Sequence, residues 1–97
     1  MASLIKMAQA GTLESSDIMI TVVPGSLGSG IVIELQSIVM AQYGEDIRLA
    51  LEKAAKEQEC TDLLIKAQDR GALDCTIHAR ILTALTRAGV VLKEEIL

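Results

Sequence analysis

The groups able to do chemistry in this chain are few. Ser15 and Ser16 stand in the run Ala10-Gly11-Thr12-Leu13-Glu14-Ser15-Ser16-Asp17-Ile18, two small hydroxyls beside two carboxylates. A serine attacks a substrate only when an adjacent base takes its proton, and neither histidine nor lysine occurs in this run. A hydroxyl displayed without such machinery suits modification by another enzyme. The competing reading is that both serines only form a turn, because Ser and Asp side chains bond local backbone N–H groups. Glu14 and Asp17 could be an acid–base pair, but an exposed turn offers no burial to shift their pKa values. A solvated turn, or contact with a basic partner, is the expectation for both.

Elsewhere the candidates are weaker. His78 is the single histidine and falls one position off an apolar helical stripe, so a surface or partly packed imidazole is expected. Cys75 and His78 are three apart and share a helix face. One Cys-His pair is too few ligands for zinc, and a catalytic pair would need a cleft. No catalytic residue and no metal site is therefore expected. Cys60 and Cys75 are expected to be small buried thiols rather than a disulfide, with Cys75 in the core. The run Gly25-Ser26-Leu27-Gly28-Ser29-Gly30 lacks the Gly-Lys-Ser/Thr ending of a phosphate-binding loop and is expected to be a hairpin loop. Arg48, Arg80 and Arg87 are expected on solvated helix faces.

Periodicity supplies the elements that must position these residues. Ile5 to Leu13 reads as a first strand, weakened or bulged at Gly11, and Glu14 to Asp17 as a turn. Ile18 to Val23 is a β-branched strand ended by Pro24, and Ile31 to Leu35 is another, which together suggest an antiparallel meander. From Ser37 the period changes: Val39, Tyr43, Ile47, Leu51 and Ala54 fall at helical spacing. Gly44 is a candidate start, with Glu45 and Asp46 in the first turn, and the helix should end near Glu59. Thr61 to Ala67 reads as a strand and Asp69 to Gly71 as a turn. A last helix carries Ile77, Ile81, Ala84, Leu85 and Ala88 on one face, with Gly89 as its C′ residue; no element is assigned from Val90 to Leu97. The fold expected is α+β, a single domain over residues 1–97. A small antiparallel sheet is covered on one face by two helices, in the order β-β-β-α-β-α.

Composition narrows the partners. Hydrophobic residues make up 51% of the chain, which excludes disorder. Tyr43 is the sole aromatic residue, so the core must be aliphatic and no platform exists for stacking bases. A net charge of −4 argues against nucleic acid and anionic membranes. No apolar run approaches the roughly 20 residues that cross a bilayer. Met1 to Met7 has no long apolar stretch of the secretory kind, and the simplest location is the cytoplasm.

A second block, Gly71-Ala72-Leu73-Asp74-Cys75 running on to Ala79-Arg80 and Arg87-Ala88, gives the first its weight. In this order, and at nearly this spacing, the two blocks resemble the acyl carrier (gamma) subunits of citrate lyase, from about Gln9 to Ala88. The resemblance implies that Ser15 is the modified serine, with Glu14 and Asp17 in the family's glutamate and aspartate positions. Ser16 stands where the family carries Gly, a residue that permits φ > 0 or close approach of a transferase. Ser15 would covalently carry 2'-(5''-phosphoribosyl)-3'-dephospho-CoA, attached by a prosthetic-group transferase, with acetyl on the thiol. The alpha subunit would exchange acetyl for citryl, and the beta subunit would cleave citryl to release oxaloacetate. Arg80 and Arg87, in the second block, would help dock these partners, and the carrier would have no catalytic residue of its own. The Asp-Ser-Leu motif of the common four-helix carriers is missing. Two other readings stay open: a malonate decarboxylase carrier with a similar cofactor, which the two blocks favour less, and an unmodified α+β interaction module.

Overall fold

A computed structural model describes residues 4–93. The elements are β1 (Ala8–Gly11), β2 (Ile18–Pro24), β3 (Ile31–Ser37), α1 (Met40–Glu57), β4 (Leu63–Asp69) and α2 (Asp74–Arg87). This is the expected order, and the α+β class holds. The sequence readings at residues 1–3 and 94–97, the leader and the end of the tail, lie outside the described residues.

The sheet itself departs from the expectation. Its strand order is β1-β2-β4-β3. β1 with β2 and β2 with β4 are antiparallel, whereas β3 runs parallel to β4. The sheet is therefore mixed, the meander stops after the first hairpin, and the 25–30 segment is not a hairpin loop. It carries the chain from β2 past β4 to the far edge. The physical reason lies in α1: neighbouring parallel strands need a long crossover, and the helix between β3 and β4 provides one.

Alternation along the strands decides which face is covered. Ile18, Ile20 and Val22 of β2 are wholly buried, as are Leu63, Ile65 and Ala67 of β4. Both helices pack on that face. α1 contributes Ile47, Leu51, Ala54 and Ala55, and α2 contributes Ile77, Ile81, Ala84 and Leu85. Each buried Ile, Leu or Val stabilises the fold by roughly 1.5–3 kcal/mol, and each alanine methyl by less. The other face carries Gln9, Glu34, Gln36, Lys66 and Gln68, all exposed, and no described element covers it.

Helix ends follow local chemistry. α1 starts at Met40, so Glu45 and Asp46 lie beyond its first turn. Gly44 is inside the helix and buried, because a Cβ there would come within 2.7 Å of the Met40 sulfur. Tyr43, expected on the buried stripe, is exposed. α2 stops as predicted: Gly89 has φ 99, its N–H donates to Thr86 O (3.0 Å), and Val90 N–H donates to Leu85 O (3.0 Å). These are the two bonds of a Schellman cap. Both cysteines are free. Cys60 is buried, and burial pushes its thiol pKa up. Cys75 is exposed rather than in the core, because it lies in the first turn of α2 on the side away from Ile77 and Ile81.

Candidate functional site

β1 and β2 pair as far as Gly11 with Met19, and the chain then reverses through residues 12–17. Gly11 has φ 96 and its α-carbon lies against the Ile18 carbonyl, with which any Cβ would collide. Only glycine lets the two strands separate at this point. Asp17 N–H donates to Glu14 O at 3.2 Å, closing a four-residue turn. Ser16, third in that turn, has φ 63, the sign that a type II turn demands there. Of the two roles the family's glycine permits, the left-handed backbone is present, and a serine adopts it at a cost of roughly 1–2 kcal/mol. Ser15 occupies the outer corner. It is exposed, and its hydroxyl bonds to no described residue.

The corner is fixed from behind. Ser16 N–H donates to Arg70 O (2.8 Å) and Arg70 N–H to Asp17 O (2.9 Å), extending the β2–β4 ladder into the turn. The Asp17 carboxylate accepts four bonds. Two come from the Arg80 guanidinium, Nε at 3.0 Å and Nη2 at 2.9 Å, in the bidentate fork that gives arginine its directional strength. The others come from the Thr12 hydroxyl at 2.6 Å and Ile18 N–H at 2.7 Å. Arg80 foremost, then Thr12 and the Ile18 amide, hold the Asp17 carboxyl well below the usual carboxylate range. The Thr12 hydroxyl also accepts from Glu14 N–H at 3.2 Å.

Several expectations change accordingly. Asp17 is not a solvated turn residue but the bolt between the hairpin tip and α2. Arg80 makes that contact, and Arg87 donates to Gln9 O at 2.9 Å, tying α2 to β1. Glu14 is exposed as expected, and Arg48 forms an exposed pair with Glu45 at 3.3 Å. Sequence reasoning also missed the part played by Asp69. Wholly buried, Asp69 accepts from the Ser37 hydroxyl (2.8 Å), Gly71 N–H (3.0 Å) and Ala72 N–H (3.0 Å), and so aims the segment that enters α2. Its place in phase with Leu63, Ile65 and Ala67 was the available signal, since a period of two puts it on the buried face. The two sequence blocks thus meet in space through Asp17 with Arg80, and Ser16 bonds to Arg70, the residue just before the second block.

A groove of about 1190 Å³ separates α1 from the start of α2, and His78 lies on its wall while Cys75 does not. The structure therefore does not assemble the Cys75–His78 pair into a site. Among the described residues, no cluster of three or more His, Cys, Asp and Glu is placed to hold a metal ion, and no helix is long and apolar enough to cross a membrane. At the tip, an exposed hydroxyl with no neighbouring base can accept a transferred group but has nothing to deprotonate it.

Comparison with known proteins supplies the family. A family model described as the malonate decarboxylase delta subunit, an acyl carrier protein, matches residues 5–88. The citrate lyase acyl carrier protein of Latilactobacillus sakei is 49% identical over 84 residues, covering 87% of this chain and 81% of that protein. The citrate lyase acyl carrier protein of Streptococcus uberis is 48% identical over 85 residues, covering 88% and 82%. A chain in the crystal structure of a Pseudomonas malonate decarboxylase hetero-tetramer with malonate has the same fold, with a TM-score of 0.73 at 21% identity over 90% of this chain and 88% of that one. The chain belongs to the acyl carrier protein family that unites the citrate lyase carriers with the malonate decarboxylase delta subunit.

Proposed function

We propose that this chain is the acyl carrier subunit of a cytoplasmic citrate lyase, one carrier domain over residues 1–97, and that Ser15 is its point of modification. The group attached would be 2'-(5''-phosphoribosyl)-3'-dephospho-CoA, through a phosphodiester made by a prosthetic-group transferase. The observation that carries the reading is the Ser15 hydroxyl, exposed and unbonded at a corner that Thr12, Asp17 and Arg80 hold from behind. Thr12, Asp17 and Arg80 satisfy one another, so esterifying Ser15 breaks none of their bonds. Arg80 balances the Asp17 charge, which leaves Glu14 as the one uncompensated carboxylate beside the added phosphate. The residues present therefore fit the group.

When bound, the group supplies a thiol at the end of a long arm, on which acyl groups are held as thioesters. The chain's own residues fix where that arm starts. The left-handed Ser16 turns Ser15 outward, and Asp17, Thr12 and Arg70 keep the corner from moving. A tether with a fixed origin raises the local concentration of its cargo at each site it can reach. Those sites would belong to the alpha subunit, which exchanges acetyl for citryl, and the beta subunit, which yields oxaloacetate. The near-half identity to citrate lyase carriers favours this assembly over a malonate decarboxylase, for which the likeness is one of fold.

Reconstitution with citrate lyase alpha and beta subunits and the transferase tests the reading. Ser15→Ala should abolish citrate cleavage, and Ser16→Ala should retain it. Cleavage that survives Ser15→Ala would overturn the assignment.

A further inference from the structure

The hairpin tip and one mouth of the groove between the helices lie at the same end of the sheet, the groove running on from there along α1 to Glu57. Ile18 pairs with Asp69, and Asp69 pairs with Ser37. The turn before Ile18, the segment after Asp69 and the segment after Ser37 therefore leave the sheet side by side. Adjacent strands are about 4.8 Å apart, so the three exits span only about two strand spacings. The segment after Ser37 supplies Val39 to the groove, and the segment after Asp69 supplies Gly71, Ala72 and Leu73. Arg70, whose backbone holds Ser16 and Asp17, is the residue immediately before Gly71. The turn that bolts the tip in place is thus continuous with the wall of the groove.

Three large apolar side chains on this groove stand open to water: Leu73 at 69% exposure, Tyr43 at 53% and Leu49 at 49%. Ala50 and Ile77 line it more deeply. Apolar walls with a few polar groups are the usual make-up of a small-molecule site, and the volume is somewhat above the roughly 300–1,000 Å³ such sites have, as suits an open groove. The charged groups lining it are Asp46, Glu57 and Asp74 against Lys53 alone. That excess of negative charge disfavours phosphates and carboxylates and leaves uncharged chemistry as the fitting occupant.

We infer that this groove is the resting site for the arm at Ser15, taking its uncharged portion of amides and methyl groups next to the thiol. The inference rests on the Ser15 reading. Tethering places the arm at an effective concentration in the millimolar range for a short flexible linker, so weak intrinsic affinity is enough to fill the groove. The carrier then shelters its own thiol between visits to its partners, and the groove, rather than the tip, sets how often the arm is free.

The test uses ¹⁵N-labelled carrier, with and without the modification, its state fixed by intact mass. Modified carrier should show amide shifts at Ala50, Ala72, Leu73 and Ile77 in addition to the tip. Its thiol should react with iodoacetamide severalfold more slowly than that of free dephospho-coenzyme A, with exposed Cys75 as internal reference. Leu49→Glu and Leu73→Glu, at exposed positions that leave the core intact, should remove both effects. Shifts confined to the tip, with a thiol as reactive as the free one, would overturn the groove and leave the Ser15 reading standing. Groove shifts that grow with carrier concentration, or that need an added lyase subunit, would assign the groove to a second copy or a partner and overturn it equally. A carrier unmodified in its native, citrate-grown cells would overturn both.

Discussion

β2 is flanked by two turns rich in small and polar residues, one at each end, and they are held differently: one only at its feet, the other at its apex. At its far end the 25–30 segment is held by its feet: Gly25 N–H donates to Asp62 O (3.1 Å) and Gly30 N–H to an Asp62 carboxylate oxygen (2.8 Å). Between the feet, Leu27 is 99% exposed and a Cβ on Gly28 or Gly30 would meet nothing within 4 Å. At its near end the tip has backbone bonds to the end of β4 and a four-bond carboxylate joined to α2. Both turns display serines. What distinguishes Ser15 from Ser26 or Ser29 is the rigidity of what lies behind it, which is what a tether point requires.

The largest contrast should come from the hydroxyls themselves. Ser15→Ala should reduce loading by the transferase to zero, whereas Ser29→Ala should load in full, both read by intact mass. Next come the glycines. Gly11→Ala drives a methyl group into the Ile18 carbonyl and should cost about 3 kcal/mol or more in urea denaturation. Gly28→Ala has φ 84 and open space, and should cost only about 1 kcal/mol.

The Asp17–Arg80 bolt separates the two turns next. Asp17→Asn should slow loading severalfold and shorten hydrogen-exchange protection at Ser16, with no effect on the 25–30 segment. Acid should do the same to the unaltered chain. Because the folded-state pKa of Asp17 is depressed, its stabilisation is fully present above the unfolded value of about 3.9 and fades as pH falls below it toward the folded value. The tip should therefore stay locked at neutral and mildly acidic pH, and Asp17→Asn should lack this part of the acid transition. The smallest effect belongs to Ser16→Gly, which should stabilise by about 0.5–1 kcal/mol by relieving φ 63 and leave Ser15 fully loadable.

Much of this was legible in the chain because it is local. The alternating Ile18, Ile20 and Val22, the stripe Ile77, Ile81, Ala84 and Leu85, and the stop at Gly89 all follow from period and cap chemistry. The family's glycine at position 16 left positive φ and close approach of a transferase both open, and the structure shows the first. Strand pairing was not legible in the same way, because β3 reads like a hairpin strand and only the crossover through α1 makes it the parallel neighbour of β4. The Asp17–Arg80 pair joins residues 63 apart in sequence, and no spacing rule reaches that far. Cys75 is different: it is out of phase with Ile77 and Ile81, so helical period alone would have placed it outside.

The central claim is that Ser15 carries the prosthetic group, and intact mass with peptide mapping on the chain from its own citrate-grown cells tests it most directly. The mass should increase by the phosphoribosyl-dephospho-coenzyme A group, confined to the peptide containing Ser15 and fragmenting at that residue. An unmodified mass, or the same addition on Ser16 or any other residue, would contradict it.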